Sequence, residues 1–236
     1  MTRRRWIADE VSGNRAFLLG SHAEHLSRVL RARIGQEFDI STGDEVRRGR
    51  IISVAPERIE FELGDPVAAL GILPATLVLS VFKFDRMEWA IEKCTELGAS
   101  RIVPVIARRT ESHLASAAHK RVDRWRRIAH EAAEQCRRVS PPEISGPMKL
   151  KEVLALSGST RIVLSEVETR TRFKDAVQSV KKNGIVLGFG PEGGWTEEEL
   201  DSFRDAGWIS ASLGGTILRV ETAAIAAMAI VAAELS

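Results

Sequence analysis

The sequence predicts an α/β protein in two parts: a small N-terminal β-barrel over residues 1–72, then a parallel sheet covered by helices over residues 73–236. Three observations lead there. Short runs before residue 64 alternate apolar and polar side chains with a period of two. After residue 76, near-continuously apolar runs alternate with helical patterns, as in a parallel sheet buried on both faces. Between them lies "GDPVAALGILPAT", Gly64 to Thr76, which carries Gly and Pro and no clear period.

In the first part, "EFDIS" alternates Phe38 and Ile40, and Thr42-Gly43-Asp44 marks a turn into "VRRGRIISVA". "RIEFEL" sets Ile59, Phe61 and Leu63 against Glu60 and Glu62, a half-buried strand. "SHAEHLSRVLRA" predicts one helix, with Ser21 and Glu24 as a capping box and Leu26, Val29 and Leu30 as its stripe. Short strands around one helix suggest a small barrel.

In the second part, "TLVLSVF", "RIVPVIA", "TRIVLSE", "GIVLGFG" and "WISASL" are predicted strands. "DRMEWAIEKCTELG", "HKRVDRWRRIAHEAAEQCRRV", "RFKDAVQSVKK" and "TEEELDSFRDAG" are predicted helices, with an Ala-rich helix, "VETAAIAAMAIVAAEL", closing the chain. Thr196 and Glu199 form a capping box. Trp125 falls on the apolar stripe of the long central helix and is expected in the core.

Composition narrows the function. Apolar residues are 44%, charged residues 28% and the net charge is +2, an ordinary balance for a folded domain. No apolar run is long enough to span a bilayer, and "MTRRRWIADEV" has no apolar signal core, so a cytoplasmic protein without membrane contact is expected. Cys94 and Cys136 lack metal-ligand spacing and are expected as buried free thiols. The five histidines show no H-E-x-x-H pattern, and no metal is expected. The 26 Arg against 8 Lys suit phosphate contact, or reflect a GC-rich genome that favours Arg codons.

The most informative stretch is "GFGPEGGWTEEEL", Gly188 to Leu200, which fits G-x-G-x-x-G after a strand and before a helix. Three features count against a pyrophosphate guest. Glu192 and Glu197 to Glu199 would repel an anion there; the ribose-binding acid expected about 20 residues on is missing; and only one strand and one helix follow. A second loop, "SLGGTILRVETA", again joins strand to helix through Gly214 and Gly215. Loops at adjacent strand ends can line one pocket. Backbone amides, apolar Leu187, Leu213, Ile217 and Leu218, and the acid Glu192 suit an adenosine-bearing ligand with cationic groups, such as S-adenosylmethionine. The residues alone leave open that these glycines only make tight turns.

These segments resemble the RsmE family of ribosomal RNA methyltransferases, of the SPOUT superfamily. "GPEGGWTEEEL" and "LGGTILRVETAA" carry the resemblance, with "HLSRVLRARIGQEF", "KFDRMEWAIEKCTELGASRIVPVIARRTES" and "RIAHEAAEQCRRVSPPEI" in the same order along nearly the whole chain. The resemblance implies a PUA-like barrel that helps bind RNA and a SPOUT domain with a deep C-terminal trefoil knot. It also implies a homodimer, and methyl transfer from S-adenosylmethionine to N3 of one uridine in small-subunit ribosomal RNA, on an assembled 30S particle. Carried onto this chain, the donor pocket falls on three loops, Leu164 to Glu166, Leu187 to Gly194 and Leu213 to Arg219, with Leu164, Ser165, Glu166, Leu187, Gly188, Gly190, Glu192, Gly193, Leu213, Gly214, Ile217 and Leu218 as its residues. Two positions depart from the usual pattern: Gly215-Thr216 replaces a pair such as Pro-Arg, and Phe189 replaces the common Ile.

Methyl transfer to uridine N3 asks for alignment and for help in losing a proton. Arg219 is the first candidate, holding a uracil oxygen and stabilising charge on the ring; an ion pair with Glu221 or Glu192 is its alternative. Glu221 is the second catalytic candidate, orienting Arg219 or accepting a proton; alternatively it is a favourable first-turn acid of the last helix. Arg density and the resemblance nominate Arg3, Arg4, Arg15, His25, Arg28 and Arg31 in the first part for RNA contact, and Arg108, Arg109, Arg137 and Arg138 in the second. Two other classes remain: a non-catalytic RNA-binding or ribosome-assembly factor of the same fold, and an NAD-type oxidoreductase, which the late glycine loop and the missing acid disfavour.

Overall fold

The period-two runs of the N-terminal part become strands of one sheet. A computed structural model describes residues 5–68, 73–158, 160–178 and 184–235, so Arg3 and Arg4 lie outside the described residues. The chain divides into two units: Met1–Gly71 with Ala133–Pro141, and Ile72–Ala132 with Pro142–Ser236.

The first unit contains β1 (Arg5–Ile7), β2 (Glu10–Ser12), β3 (Arg15–Leu19), α1 (Gly20–Glu24), β4 (Glu37–Ser41), β5 (Val46–Ala55) and β6 (Arg58–Val67). The strand order is β1-β4-β5-β6-β3-β2, a curled half-barrel sheet. Among the described residues only β1 and β4 run parallel. Ile59, Phe61 and Leu63 face inward with Trp6, Leu18, Leu26, Ile40 and Ile51. The β5–β6 register slips at Arg47/Gly49 and Ile51/Ser53, and such irregularities bend a sheet. Gly49 is required there, because a Cβ would overlap Ile40.

The expected helix is different in detail. Gly20, at φ 50°, turns the chain from β3 straight into α1 with Leu19 as N-cap, so Ser21 lies inside the helix and no side chain caps it. The next residues, His25–Val29, form a π-helical turn, which ends near Arg31 at φ 51°. The return segment Ala133–Pro141 also belongs to this unit. Arg5 Nη1 donates to the Arg137 carbonyl, Ser41 Oγ to that of Val139, and the Ile7 amide to Glu134 Oε1 at 3.4 Å. Arg137 and Arg138, expected in the second part, therefore group with the first.

The second unit contains β7 (Ala75–Ser80), α2 (Phe84–Glu96), β8 (Arg101–Ile106), α3 (Ser112–Ala117) and α4 (Val122–Gln135, whose last turn joins the first unit). There follow β9 (Glu143–Ile144), β10 (Met148–Lys149), α5 (Leu150–Leu154), β11 (Thr160–Leu164), α6 (Phe173–Gln178), β12 (Ile185–Phe189), α7 (Glu197–Asp205), β13 (Ile209–Ala211) and α8 (Val220–Leu235). The sheet is parallel throughout, in the order β10-β8-β7-β12-β11-β13, with β9 beside β8.

Both faces are buried, and alternation decides which residue serves which. Leu77, Leu79, Ile162, Ile185 and Leu187 pack with Trp125 and α8. Val78, Val103, Val163 and Val186 pack with Trp195, Phe203 and Trp208 on the other face. Gly188 belongs to that second face: a Cβ there would lie 3.4 Å from the Trp208 ring. The Cys94 thiol is fully buried, and burial pushes its pKa up, which disfavours the thiolate. Cys136, expected to be buried, is only partly so. Among the described residues no helix is long and apolar enough to cross a membrane.

Candidate functional site

Parallel strands deliver their C-terminal ends to one side of a sheet, and the ends of β11, β12 and β13 surround a cavity of about 310 Å³. β11 leads into Leu164, Ser165 and Glu166 on its wall. β12 leads into Gly190 and Glu192. From β13 come Leu213, Gly214, Ile217, Leu218 and Arg219. The three loops singled out in the sequence thus converge, and register explains why: Leu164 pairs with both Phe189 and Ala211, so the strands end at one level.

Four of the nominated residues lie elsewhere. Leu187 is fully buried in the core, and Gly188 packs beneath Trp208. Gly193 faces away from the cavity: a Cβ there would lie 3.3 Å from Cδ of Arg109. Its neighbour Gly194 takes the place expected for it on the wall. Gly194 has φ 69°, where a side chain is strained, and a Cβ there would displace the Glu166 carboxylate. Glu221 is 4% exposed and does not line the cavity; one of its oxygens, Oε2, is buried without a hydrogen-bond partner.

Arg86, at the start of α2, was not singled out in the sequence, although it stands in the quoted "KFDRMEWAIEK". It lines the cavity and takes the ion pairs offered above to Arg219. Its Nη1 donates to Glu192 Oε1 at 3.1 Å, and its Nε lies 3.8 Å from Glu221 Oε1. Lys83 adds a second cation 4.0 Å from Glu192. The Arg219 side chain is exposed and has no ion pair or hydrogen bond among the described residues. Phe189, Pro191, Ser212, Thr216, Val220 and Ala223 complete the wall.

The nominated RNA contacts are spread over the chain. Arg15 pairs with Glu60, and Arg28 with Glu24 at 3.4 Å, both arginines being exposed. Arg31 is exposed, while His25 is half-buried with its ring 5.8 Å from that of Trp6. Arg108 pairs with Glu198, and Arg109 turns its guanidinium onto the carbonyls of Gly193 and Trp195. Arg137 is exposed at φ 61°; Arg138 is half-buried, and its desolvation lowers its pKa.

The cavity fits a nucleoside-bearing cation. Leu164, Leu213, Leu218, Val220 and Ala223 supply apolar wall, Glu166 and Glu192 supply negative charge, and the size is that of a small-molecule site. Comparison with known proteins agrees. Residues 71–232 match the model of the RNA methyltransferase domain family. The ribosomal RNA small subunit methyltransferase E of Mycobacterium bovis is 35% identical over 92% of this chain and 86% of that protein. Among solved structures, a ribosomal RNA small subunit methyltransferase E from Neisseria gonorrhoeae, bound to S-adenosyl methionine, is 30% identical with a TM-score of 0.83, over 96% of this chain and 95% of that one. A methyltransferase from Legionella pneumophila, in complex with the bound cofactor SAM, is 26% identical with a TM-score of 0.85, over 99% and 98%. With a family model covering most of its length and relatives 33–35% identical over 90–92% of it, this chain belongs to the ribosomal RNA small subunit methyltransferase E family.

Proposed function

We propose that this protein transfers a methyl group from S-adenosylmethionine to N3 of one uridine in small-subunit ribosomal RNA. The observation that carries the reading is the convergence of the three loops on one apolar, acid-bearing cavity in a chain of this family. S-adenosylmethionine supplies a methyl group already activated by its sulfonium, which leaves alignment and charge control to the protein. Leu164, Leu213 and Leu218 provide apolar surface for a purine, and Glu166 and Glu192 provide charge opposite a cation. Arg219, unpaired at the cavity, holds a uracil oxygen and stabilises the negative charge left when N3 loses its proton. Glu221 is shut off from the cavity and serves as a positioning residue for Arg86.

The finer features belong to the same reading. Residues 1–72, joined by the returning segment Ala133–Pro141, form a PUA-like RNA-binding domain, and the rest of residues 73–236 a SPOUT domain with a C-terminal trefoil knot. The knot rests on the family to which the chain belongs. A homodimer belongs to the same reading. The exposed Arg15, Arg28, Arg31, Arg108 and Arg137, with His25 and the half-buried Arg138, contact RNA in an assembled 30S particle in the cytoplasm.

Two measurements test this. Calorimetric titration with S-adenosylhomocysteine reads the donor site. Labelled-methyl transfer to small subunits from cells lacking this activity reads the reaction, with label expected on one uridine as N3-methyluridine. Binding to the particles with no transfer would favour the non-catalytic assembly factor, and equal transfer to bare transcript would remove the preference for particles.

A further inference from the structure

We infer that Arg109 is a positioning residue that clamps the donor loop, not a phosphate contact; the inference rests on the donor-pocket reading above. The loop from Gly190 to Trp195 contains three glycines in six residues. Such a segment has much conformational freedom, and ordering it on ligand binding would cost affinity. A loop already ordered avoids that cost.

The order comes from the turn after β8. Arg109 Nη1 donates to the Gly193 carbonyl at 2.6 Å and reaches the Trp195 carbonyl at 3.5 Å. The aliphatic part of Arg109 fills the space where a side chain at residue 193 would go. One residue earlier, the Arg108 amide donates to Glu199 Oε1 at 2.8 Å, and Glu199 Oε2 accepts from the Thr196 amide at 2.9 Å. Glu199 is 2% exposed, so this link is shielded from water. The turn itself is closed by the Ala107 amide donating to Thr110 Oγ1 at 3.1 Å. The loop is thereby held from its outer side, while Gly190, Pro191, Glu192 and Gly194 face the cavity. Both carbonyls are met by the one Nη1, at the end of a stem that packs along Gly193.

The test is Arg109→Ala beside Arg109→Lys, with Arg204→Ala as a control for loss of an exposed arginine. The readouts are the Kd for S-adenosylhomocysteine, binding to small subunits across a salt series, and amide hydrogen exchange of residues 190–196. Arg109→Ala is expected to raise the Kd roughly tenfold, the scale of one hydrogen bond to a charged group. Arg109→Lys should fall between it and the wild type, and Arg204→Ala should match the wild type. The Gly194 amide, which donates to the Pro191 carbonyl at 2.8 Å, should exchange faster in Arg109→Ala. An unchanged Kd with a weaker salt dependence of RNA binding would overturn the clamp and make Arg109 a phosphate contact. Should the wild type fail to bind S-adenosylhomocysteine, the donor reading fails, and exchange at Gly194 still decides whether Arg109 holds the loop.

Discussion

Glu221 is a buried carboxylate whose nearest cation is Arg86, on a different helix. Removing the half-exposed Arg86 leaves this buried carboxylate without its neighbouring cation, which is the costly way to lose the contact. Arg86→Ala is therefore expected to destabilise the protein by roughly 2–3 kcal/mol in urea unfolding, and Glu221→Gln in the same chain to recover most of that loss. Independent, additive losses would show that the pair is not coupled. Gly194 carries a second prediction. Gly194→Ala puts a Cβ at φ 69° and displaces Glu166, costing about 1–2 kcal/mol of strain. The Kd for S-adenosylhomocysteine should rise about tenfold, as for one lost polar contact. Side-chain roles were the least legible part of the site. Arg86 meets Glu192 across 106 residues, and no local spacing marks such a pair. Gly193 and Gly194 are chemically identical in sequence; only backbone direction separates one facing Arg109 from one facing the cavity.

Elements were more legible, because their signals are local. The capping box at α7 is present as predicted: Glu199 N donates to Thr196 Oγ1 at 3.2 Å, and the Glu199 carboxylate accepts from the Thr196 amide at 2.9 Å. The carboxylate also serves the Arg108 amide, so the two halves of the box are unequal. Thr196→Ala should cost about 1 kcal/mol, an ordinary cap loss. Glu199→Ala should cost about 2–3 kcal/mol, because two amides lose a charged acceptor. Equal thermal shifts for the two variants would contradict the second role of Glu199. The same rule failed at Ser21 and Glu24, since Gly20 starts the helix one residue too early for Ser21 to cap it. Period-two strands such as "RIEFEL" and "EFDIS" were read directly, whereas the two-residue β9 and β10 are too short to carry a period.

At the scale of the whole molecule, a net charge of +2 leaves RNA affinity to clusters of arginine rather than to overall charge. Binding to small subunits should weaken as salt rises, and Arg28→Ala should reduce the slope of log K against log salt by about 1. A slope unaffected by Arg28→Ala would remove that residue from the interface. The two-part plan was visible in the change of rhythm near residue 70. What rhythm could not show is that Ala133–Pro141 returns to the first unit, held there by contacts such as Arg5 with Arg137, 132 residues apart.

That return has a consequence for how the chain is born. Synthesis delivers residues in order, and domains generally fold as they emerge. Here the strands of the first unit are all made long before the segment that completes it, and α4 must be built in between. The N-terminal sheet therefore waits, with Arg5 and Ser41 lacking their later partners, until residue 141 has left the ribosome. The chain of the first unit is therefore complete only after β7, α2 and β8 of the second have been made, and before β11, β12, β13 and α8.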